Sequence, residues 1–191
     1  MNYLTKPLVK ILSRFNVKPN HITATSVVFA AIGAYYIYNG IFDMATIFIL
    51  LSVFIDILDG GVARYSKKVT KFGNYFDAMI DKYVEVILYV GFALGGYSLG
   101  AILALSGSFL LSYAKARLAI TIPIDNHDWP AIGERADRLI ILIVGMVLFL
   151  ILPEIGGYSL IDITLYSIAI VTYIGGIQRM LYARDIIDKN K

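Results

Sequence analysis

Six long runs of apolar residues limit how this chain can fold more than any other feature of its sequence. They cover approximately residues 22–38, 44–58, 75–94, 99–120, 131–152 and 160–182. A helix needs about 20 apolar residues to cross the hydrocarbon core of a bilayer, which is roughly 30 Å thick. The second run reaches this length if its helix continues to about Arg64. The runs, separated by glycine-rich or polar breaks, predict an all-α integral membrane protein with six transmembrane helices.

The composition agrees with a membrane location. Of the 191 residues, 58% are hydrophobic and 16% are charged, and the mean hydropathy is +0.71. Soluble domains are closer to half apolar and a quarter charged. The chain has no cysteine, which excludes a disulfide framework and thiol catalysis. Its length suits one membrane domain covering residues 1–191.

A different kind of helix is predicted for residues 1–18. Apolar side chains recur there at helical spacing, and the basic side chains fall outside that stripe. The apolar set is Leu4, Leu8, Ile11, Leu12 and Phe15, and the basic set is Lys6, Lys10 and Arg14. This pattern predicts an amphipathic juxtamembrane helix on the membrane surface, followed by the six-helix bundle at 19–191. A solvated leader without lipid contact is the alternative.

The distribution of basic residues predicts the topology. Nearly all Lys and Arg lie in the leader, in residues 64–71 and 115–138, and in the tail from Arg179, whereas the alternate loops contain none. Lys and Arg concentrate in cytoplasmic loops. We therefore expect a multi-pass protein of the plasma (inner) membrane, with both termini and the loop after the second run in the cytoplasm.

Four aspartates flank that loop. Asp56 and Asp59 end the second run, and Asp77 and Asp81 begin the third, so each pair occupies one helix face. Because the connecting loop is short, the two helices are antiparallel neighbours and the four carboxylates can converge. Such a cluster needs protons or divalent cations to balance its charge. The residues predict a site for two ions of Mg²⁺ or Mn²⁺. The alternative is that single acids pair with Lys67, Lys68 or Lys82.

The residues between the acids suit a phosphate ligand. Gly60 and Gly61 allow the backbone to approach a ligand closely. Arg64 carries a guanidinium that can bind phosphate in a bidentate manner.

This stretch resembles the CDP-alcohol phosphatidyltransferase family. The family pattern is Asp-x2-Asp-Gly-x2-Ala-Arg-x8-Gly-x3-Asp-x3-Asp, which specifies eight positions over 26 residues. Every one of them is filled here, by Asp56, Asp59, Gly60, Ala63, Arg64, Gly73, Asp77 and Asp81. Eight matches, with the spacer length also kept, are far more specific than a single pair of acids.

The resemblance implies roles for these residues. Asp56, Asp59 and Asp77 would be metal ligands, and Asp81 would be both a ligand and the general base. The CDP-linked lipid, either CDP-archaeol or CDP-diacylglycerol, would be contacted by Pro19, Asn20, His21, Ile22, Gly60, Arg64 and Thr70. CMP would leave as the lipid phosphate moves to an alcohol. The family also implies a homodimer, and no nucleic-acid partner is expected.

A second set of polar residues indicates which alcohol accepts the lipid phosphate. Ser-Tyr-Ala-Lys-Ala-Arg at 112–117 and Glu-Arg-Ala-Asp-Arg at 134–138 are similar to segments of the phosphatidylinositol phosphate and archaetidylinositol phosphate synthases. The resemblance implies inositol 1-phosphate as acceptor, with its phosphate held by Lys115, Arg135 and Arg179 and supported by Arg117 and Arg138. Buried cations need anions, which independently favours a phosphorylated acceptor.

Three alternatives stay open at this point. The same basic residues suit glycerol 3-phosphate as acceptor. They can also be interfacial side chains with no ligand, Arg138 pairing with Asp137 or Glu134 and Arg184 pairing with Asp188. Finally, clustered acids can serve a cation transporter, although the outer halves of the runs hold almost no charge.

Overall fold

The computed structural model describes residues 6–14, 19–66, 68–121 and 131–189, and these are almost entirely helical. The helices are α1 (Lys6–Arg14), α2 (Pro19–Tyr38), α3 (Phe42–Tyr65), α4 (Lys71–Phe92), α5 (Ser98–Thr121), α6 (Arg135–Phe149) and α7 (Leu160–Lys189). They form two compact units, Met1–Gly95 and Gly96–Lys191. The assignment of residues 1–191 to one domain stays a prediction.

In the first unit, α2 packs against both α3 and α4, and small residues set the spacing. A Cβ placed on Gly91 of α4 would lie 2.8 Å from the Cα of Ala34 in α2, so only glycine fits at this crossing. Small residues at helix contacts are typical of membrane proteins, because there the helices associate through close packing. This crossing holds α4, with Asp77 and Asp81, beside α2.

The second unit is built from α5, α6 and α7. Gly107 of α5 contacts Thr172 of α7, and Gly145 of α6 contacts Thr164 of α7. Both threonine hydroxyls donate to carbonyls of their own helix, Thr164 to Leu160 at 2.7 Å and Thr172 to Ile168 at 2.8 Å. The polar groups are thus satisfied within the helix, and the glycines make room for the side chains.

Four helical stretches among the described residues are long and apolar enough to cross a membrane. They are Pro19–Tyr38, Phe42–Tyr65, Lys71–Thr121 and Leu160–Asp188. The chain is therefore an all-helical, multi-pass membrane protein, and α3 continues through its acids to Tyr65, as expected. The third stretch joins two predicted spans through a π-helical turn, Ala93–Tyr97, in which Gly96 has a φ of +103° and interrupts the helix.

The fifth predicted span differs from the structure. Its helix covers Arg135–Phe149, not the whole of 131–152, and its 15 residues rise about 22 Å. Gly133 has a φ of +80°, and the backbone N–H groups of Gly133 and Glu134 donate to the Asp137 carboxylate. These local bonds delay the helix start. The count of six membrane crossings remains a prediction.

Beyond α6, residues 153–159 form a turn rather than an irregular loop. Glu154–Ile155 pairs with Tyr158–Ser159 as a two-stranded antiparallel hairpin. Gly156 and Gly157 both have positive φ, as a two-residue hairpin turn of this hand requires.

The leader contains α1, and Leu12 of the predicted apolar stripe packs against an apolar cluster of the first unit. Val9, which is outside that stripe, is fully buried in a cluster with Ile22, Leu58 and Val62. Leu8 and Ile11, which belong to the stripe, are exposed. Leu4 and Phe15 lie outside the described residues. The location of this helix on the membrane surface stays a prediction.

Candidate active site

Three of the four predicted aspartates come together where α3 ends and α4 begins. Asp56, Asp59 and Asp77 each offer a carboxylate oxygen, and these oxygens all lie within 4.8 Å of one another. Asp59 is buried, and Asp56 and Asp77 are half-buried. Oxygens at these separations can bind one divalent cation together, and without one they repel.

The connection between the two helices explains the convergence. Thr70 is the N-cap of α4, in an extended conformation, and its hydroxyl accepts a hydrogen bond from the Gly73 N–H at 2.9 Å. A Cβ on Gly73 would lie 3.0 Å from that hydroxyl oxygen and 3.6 Å from Asn20 Oδ1. The cap and the glycine therefore let the first turn of α4 approach α2.

The carboxylate donor set fits a divalent cation. Oδ2 of Asp59 is buried and has no hydrogen-bond partner among the residues that the structure describes, which is costly for a carboxylate oxygen unless a ligand satisfies it. Such all-oxygen sites suit Mg²⁺, Mn²⁺ or Ca²⁺.

Asp81 is the fourth predicted carboxylate. It follows Asp77 by one turn of α4 and is half-buried, and among the described residues it is not one of the three that share the 4.8 Å cluster. Lys82, one of the lysines that could pair with these acids, has its Nζ 2.8 Å from the Glu85 carboxylate.

A small pocket adjoins the carboxylates, and both nearby helix N-termini border it. Pro19 and Asn20 come from the first turn of α2, Thr70 from the start of α4, and Gly60 from α3. Asp59 and Asp77 also line it. Helix N-termini carry unpaired N–H groups and a partial positive charge, which favour a phosphate ligand.

Three residues predicted to contact the nucleotide are not among those that line this pocket. Ile22 is buried in the apolar cluster with Val9, so its side chain serves packing. His21 is exposed. Arg64 is also exposed, and its guanidinium lies over Gly60, where a Cβ would be 3.4 Å from Nη1.

The structure adds lining residues that the sequence pattern did not single out. Thr23, Lys68 and Asn74 line the same pocket. The Thr23 hydroxyl donates to the Pro19 carbonyl oxygen at 3.1 Å, and it is also close enough to the Asp59 carboxylate to donate to it instead. That carbonyl belongs to the first turn of α2, where the backbone N–H four residues on can satisfy it. Thr23 follows Pro19 by four residues, and this helical spacing is the feature of the sequence that could have placed Thr23 beside the pocket.

The predicted acceptor residues all belong to the second unit, in differing environments. Lys115 and Arg135 are half-buried, and Arg117 is exposed. Arg117 and Arg179 line one groove between α5 and α7, whose walls are otherwise mostly apolar. The pairing of Arg184 with Asp188 is present at 3.9 Å.

Arg138 and Arg179 are both buried, and both bond the chain around the start of α6. Arg138 Nη1 donates to the Gly133 carbonyl oxygen at 2.6 Å. Arg179 Nη1 donates to the Leu111 carbonyl oxygen at 2.7 Å, and its Nη2 pairs with the Glu134 carboxylate. Nε of Arg179 is buried and has no hydrogen-bond partner among the described residues. A buried N–H group without a partner is costly, so an anionic ligand at this atom would stabilise it.

The model of the CDP-alcohol phosphatidyltransferase family matches residues 16–177, so the chain belongs to that family. The protein is accordingly a membrane-bound transferase of phospholipid biosynthesis. Membership takes the place of the transporter alternative, because it assigns an enzymatic activity to the chain.

Characterised relatives resemble the chain over most of its length. The archaetidylinositol phosphate synthase of Pyrococcus horikoshii is 29% identical, over 94% of this chain and 90% of its own. The synthase of the same name from Methanothermobacter thermautotrophicus is 31% identical, over 90% and 86%. The phosphatidylinositol phosphate synthase of Streptomyces avermitilis is 31% identical, over 93% and 77%.

Solved structures share the fold. The phosphatidylinositol phosphate synthase of Mycobacterium tuberculosis with CDP-DAG bound superposes with a TM-score of 0.82 at 22% identity, covering 95% of this chain and 94% of that one. The same enzyme in complex with manganese and citrate gives a TM-score of 0.80 at 23% identity, covering 94% and 88%. A related enzyme has thus been crystallised with a divalent metal.

Proposed function

We propose that this protein transfers the phosphatidyl or archaetidyl group of a CDP-linked lipid to inositol 1-phosphate and releases CMP. The clustering of Asp56, Asp59 and Asp77 beside a pocket bordered by two helix N-termini carries the proposal. The names of the relatives, which match most of the chain, support inositol phosphate as the acceptor.

The first unit binds the CDP-linked lipid in this proposal. Asp56, Asp59 and Asp77 hold the metal, Mg²⁺ or Mn²⁺, with two ions in the complete site. Bound metal would supply Lewis-acid polarisation of the diphosphate and stabilise the leaving phosphate. The pocket with Asn20, Gly60 and Thr70 holds the cytidine diphosphate, and the N–H groups of α2 and α4 neutralise part of its charge.

Asp81 is the general base. Its place one turn beyond Asp77 on α4 suits a group that completes the metal site and also accepts the proton of the attacking hydroxyl. The attacking hydroxyl oxygen of inositol phosphate forms a bond to the β-phosphorus. The bond from that phosphorus to the bridging oxygen breaks, CMP leaves with the bridging oxygen, and Asp81 takes the hydroxyl proton.

The acceptor's phosphate is bound by basic residues of the second unit. Lys115, Arg135 and Arg179 hold it, and Arg117 and Arg138 support them. Arg179 is suited to this role because its buried Nε lacks a partner among residues 6–14, 19–66, 68–121 and 131–189. Glycerol 3-phosphate carries the same phosphate group and is the acceptor to be tested against inositol phosphate.

We further propose the membrane arrangement that the sequence predicts. The chain crosses the plasma membrane six times, α1 lies on its inner surface, and both termini and the carboxylates face the cytoplasm. The active form is a homodimer, which light scattering of the purified protein would measure.

An acceptor panel tests the proposed function. Purified protein is incubated with CDP-archaeol or CDP-diacylglycerol, Mn²⁺, and either inositol 1-phosphate, glycerol 3-phosphate or free inositol, and CMP release is measured. We expect release with inositol 1-phosphate and not with free inositol. Release with glycerol 3-phosphate alone would replace the proposed acceptor, and an Asp59→Asn variant provides the inactive control.

A further inference from the structure

Glu134 forms an ion pair with Arg179, and the proposed function gives Glu134 no role. Arg179 is only 5% exposed, whereas the Glu134 side chain is 47% exposed. Glu134 lies immediately before α6, within the Gly133–Asp137 segment that caps that helix. A buried arginine is thus neutralised by a carboxylate that has open space on its other side.

The two side chains of this pair are held to different degrees. Arg179 is held by burial and by the bond from its Nη1 to the Leu111 carbonyl oxygen. The Glu134 side chain also faces the backbone N–H of Asp137 in the capping box of α6, but it is half exposed, so it can turn toward solvent and exchange its bond to Arg179 for bonds to water. Exposed ion pairs are worth little for this reason, whereas a buried cation left alone is costly. Any replacement for Glu134 must therefore also be an anion.

The pattern of occupied atoms on Arg179 indicates what that anion is. Glu134 bonds Nη2, and Nε is buried without a partner in the part of the chain that the structure describes. A guanidinium binds phosphate best through two parallel N–H groups, such as those of Nε and Nη2 on one edge. A phosphate on that edge would place its oxygens next to the Glu134 carboxylate. Because like charges at this range repel, the carboxylate has to leave when the phosphate binds.

We propose that Glu134 is a displaceable counterion that competes with the acceptor's phosphate for Arg179. The proposal rests on the proposed function in that Arg179 belongs to the acceptor site. Glu134 then acts as a specificity residue. A dianionic phosphate can take Arg179 from it, whereas a neutral polyol cannot, so the pair selects phosphorylated alcohols over free ones.

The test compares Glu134→Gln with the unmodified enzyme. Glutamine keeps the size and an oxygen acceptor but removes the charge, so its bond to Arg179 is weaker. We expect the KM for inositol 1-phosphate to fall about fivefold, the difference between a charged and a neutral hydrogen bond. Its Kd measured by calorimetry should fall equally, and the KM for the CDP-linked lipid should stay the same.

Two further variants keep the test decisive. Glu134→Ser removes the charge and retains a strong helix N-cap residue, so it serves if Glu134→Gln folds poorly, and it should lower the same KM. Glu154→Gln also removes one negative charge, from the exposed hairpin, and should change neither KM. An unchanged or raised KM for inositol 1-phosphate in both Glu134 variants would overturn the proposal, since Glu134 would then only position Arg179.

Failure of the proposed function looks different. If the unmodified enzyme uses glycerol 3-phosphate and not inositol 1-phosphate, the acceptor assignment is wrong, and the Glu134 comparison is made with glycerol 3-phosphate. If the unmodified enzyme uses only an unphosphorylated alcohol, both the acceptor assignment and the role of Glu134 are wrong.

Discussion

Single side chains decide the chemistry of the acidic cluster, and Thr23 is the least expected of them. Its hydroxyl can donate to Asp59, the buried member of the three clustered carboxylates. Hydrogen bonds of this kind orient metal ligands, and their loss weakens metal binding. Thr23 is buried, so its replacement must conserve volume if the effect on metal binding is to be separated from packing.

A matched pair of substitutions achieves this separation. Thr23→Val keeps the branched shape and loses the hydroxyl, and we expect it to weaken Mn²⁺ binding about tenfold. Thr23→Ser keeps the hydroxyl and should bind Mn²⁺ as the unmodified protein does. Titration followed by electron paramagnetic resonance measures both variants. If Thr23→Val bound Mn²⁺ normally and Thr23→Ser did not, packing and not hydrogen bonding would explain the role of Thr23.

Asp81 is distinguished from the three clustered carboxylates by a different measurement. Asp81→Asn should lower CMP release by about 100-fold or more, because proton transfer contributes at least that much to such reactions. CDP-lipid binding, measured by calorimetry, should be retained. Asp59→Asn should instead reduce Mn²⁺ binding as well as CMP release. Loss of nucleotide binding in Asp81→Asn would identify Asp81 chiefly as a ligand.

At the scale of helices, the packing of α4 on α2 depends on a close approach near the end of α4. Gly91 permits this contact, because a Cβ there would meet the backbone of Ala34. In contrast, a Cβ on Gly176 of α7 would meet no other atom within 4 Å. The two glycines therefore provide a matched test of helix packing.

Gly91→Ala should destabilise the protein and Gly176→Ala should not. Overpacking costs about 1–3 kcal/mol, which corresponds to a fall in Tm of several degrees for a chain of this size. Thermal unfolding in detergent followed by circular dichroism gives both values. Equal Tm values for Gly91→Ala and the unmodified protein would show that α2 and α4 can move apart without loss of stability.

Helix ends show where reading the sequence by apolar runs succeeds and where it does not. The apolar run 44–58 alone is too short, yet α3 extends through the acids to Tyr65, as the length requirement predicted. At α6 the same reasoning gave a helix that was too long. The residues before Arg135 are used by the Asp137 cap and by the turn at Gly133, which are local hydrogen bonds and not hydrophobic effects.

For the whole molecule, the natural absence of cysteine allows the predicted topology to be measured directly. Single cysteines would replace Val69, in the loop after α3, and Tyr158, in the hairpin after α6, since both side chains are exposed. A membrane-impermeant thiol reagent on intact cells should label Tyr158→Cys and not Val69→Cys, because loops rich in Lys and Arg stay inside. Both should be labelled after permeabilisation, and labelling of Val69→Cys from outside would reverse the topology.

The sequence by itself determined the membrane class, the family and the identity of the aspartates. Apolar runs have to be helical in lipid, because no water is available there to satisfy the backbone. The spacing of Asp56 and Asp59 places them on one helix face whatever surrounds them. These properties are local, so the order of residues is enough to fix them.

Only the tertiary structure decided which polar atoms meet across helices. It brought carboxylate oxygens of Asp56, Asp59 and Asp77 within 4.8 Å of one another, placed Thr23 beside Asp59, buried Ile22 in an apolar cluster, and paired Arg179 with Glu134. Contacts between residues far apart in the chain depend on helix rotation and separation. Those are set by the volumes of many side chains together, such as the close approach at Gly91, and no short sequence pattern contains them.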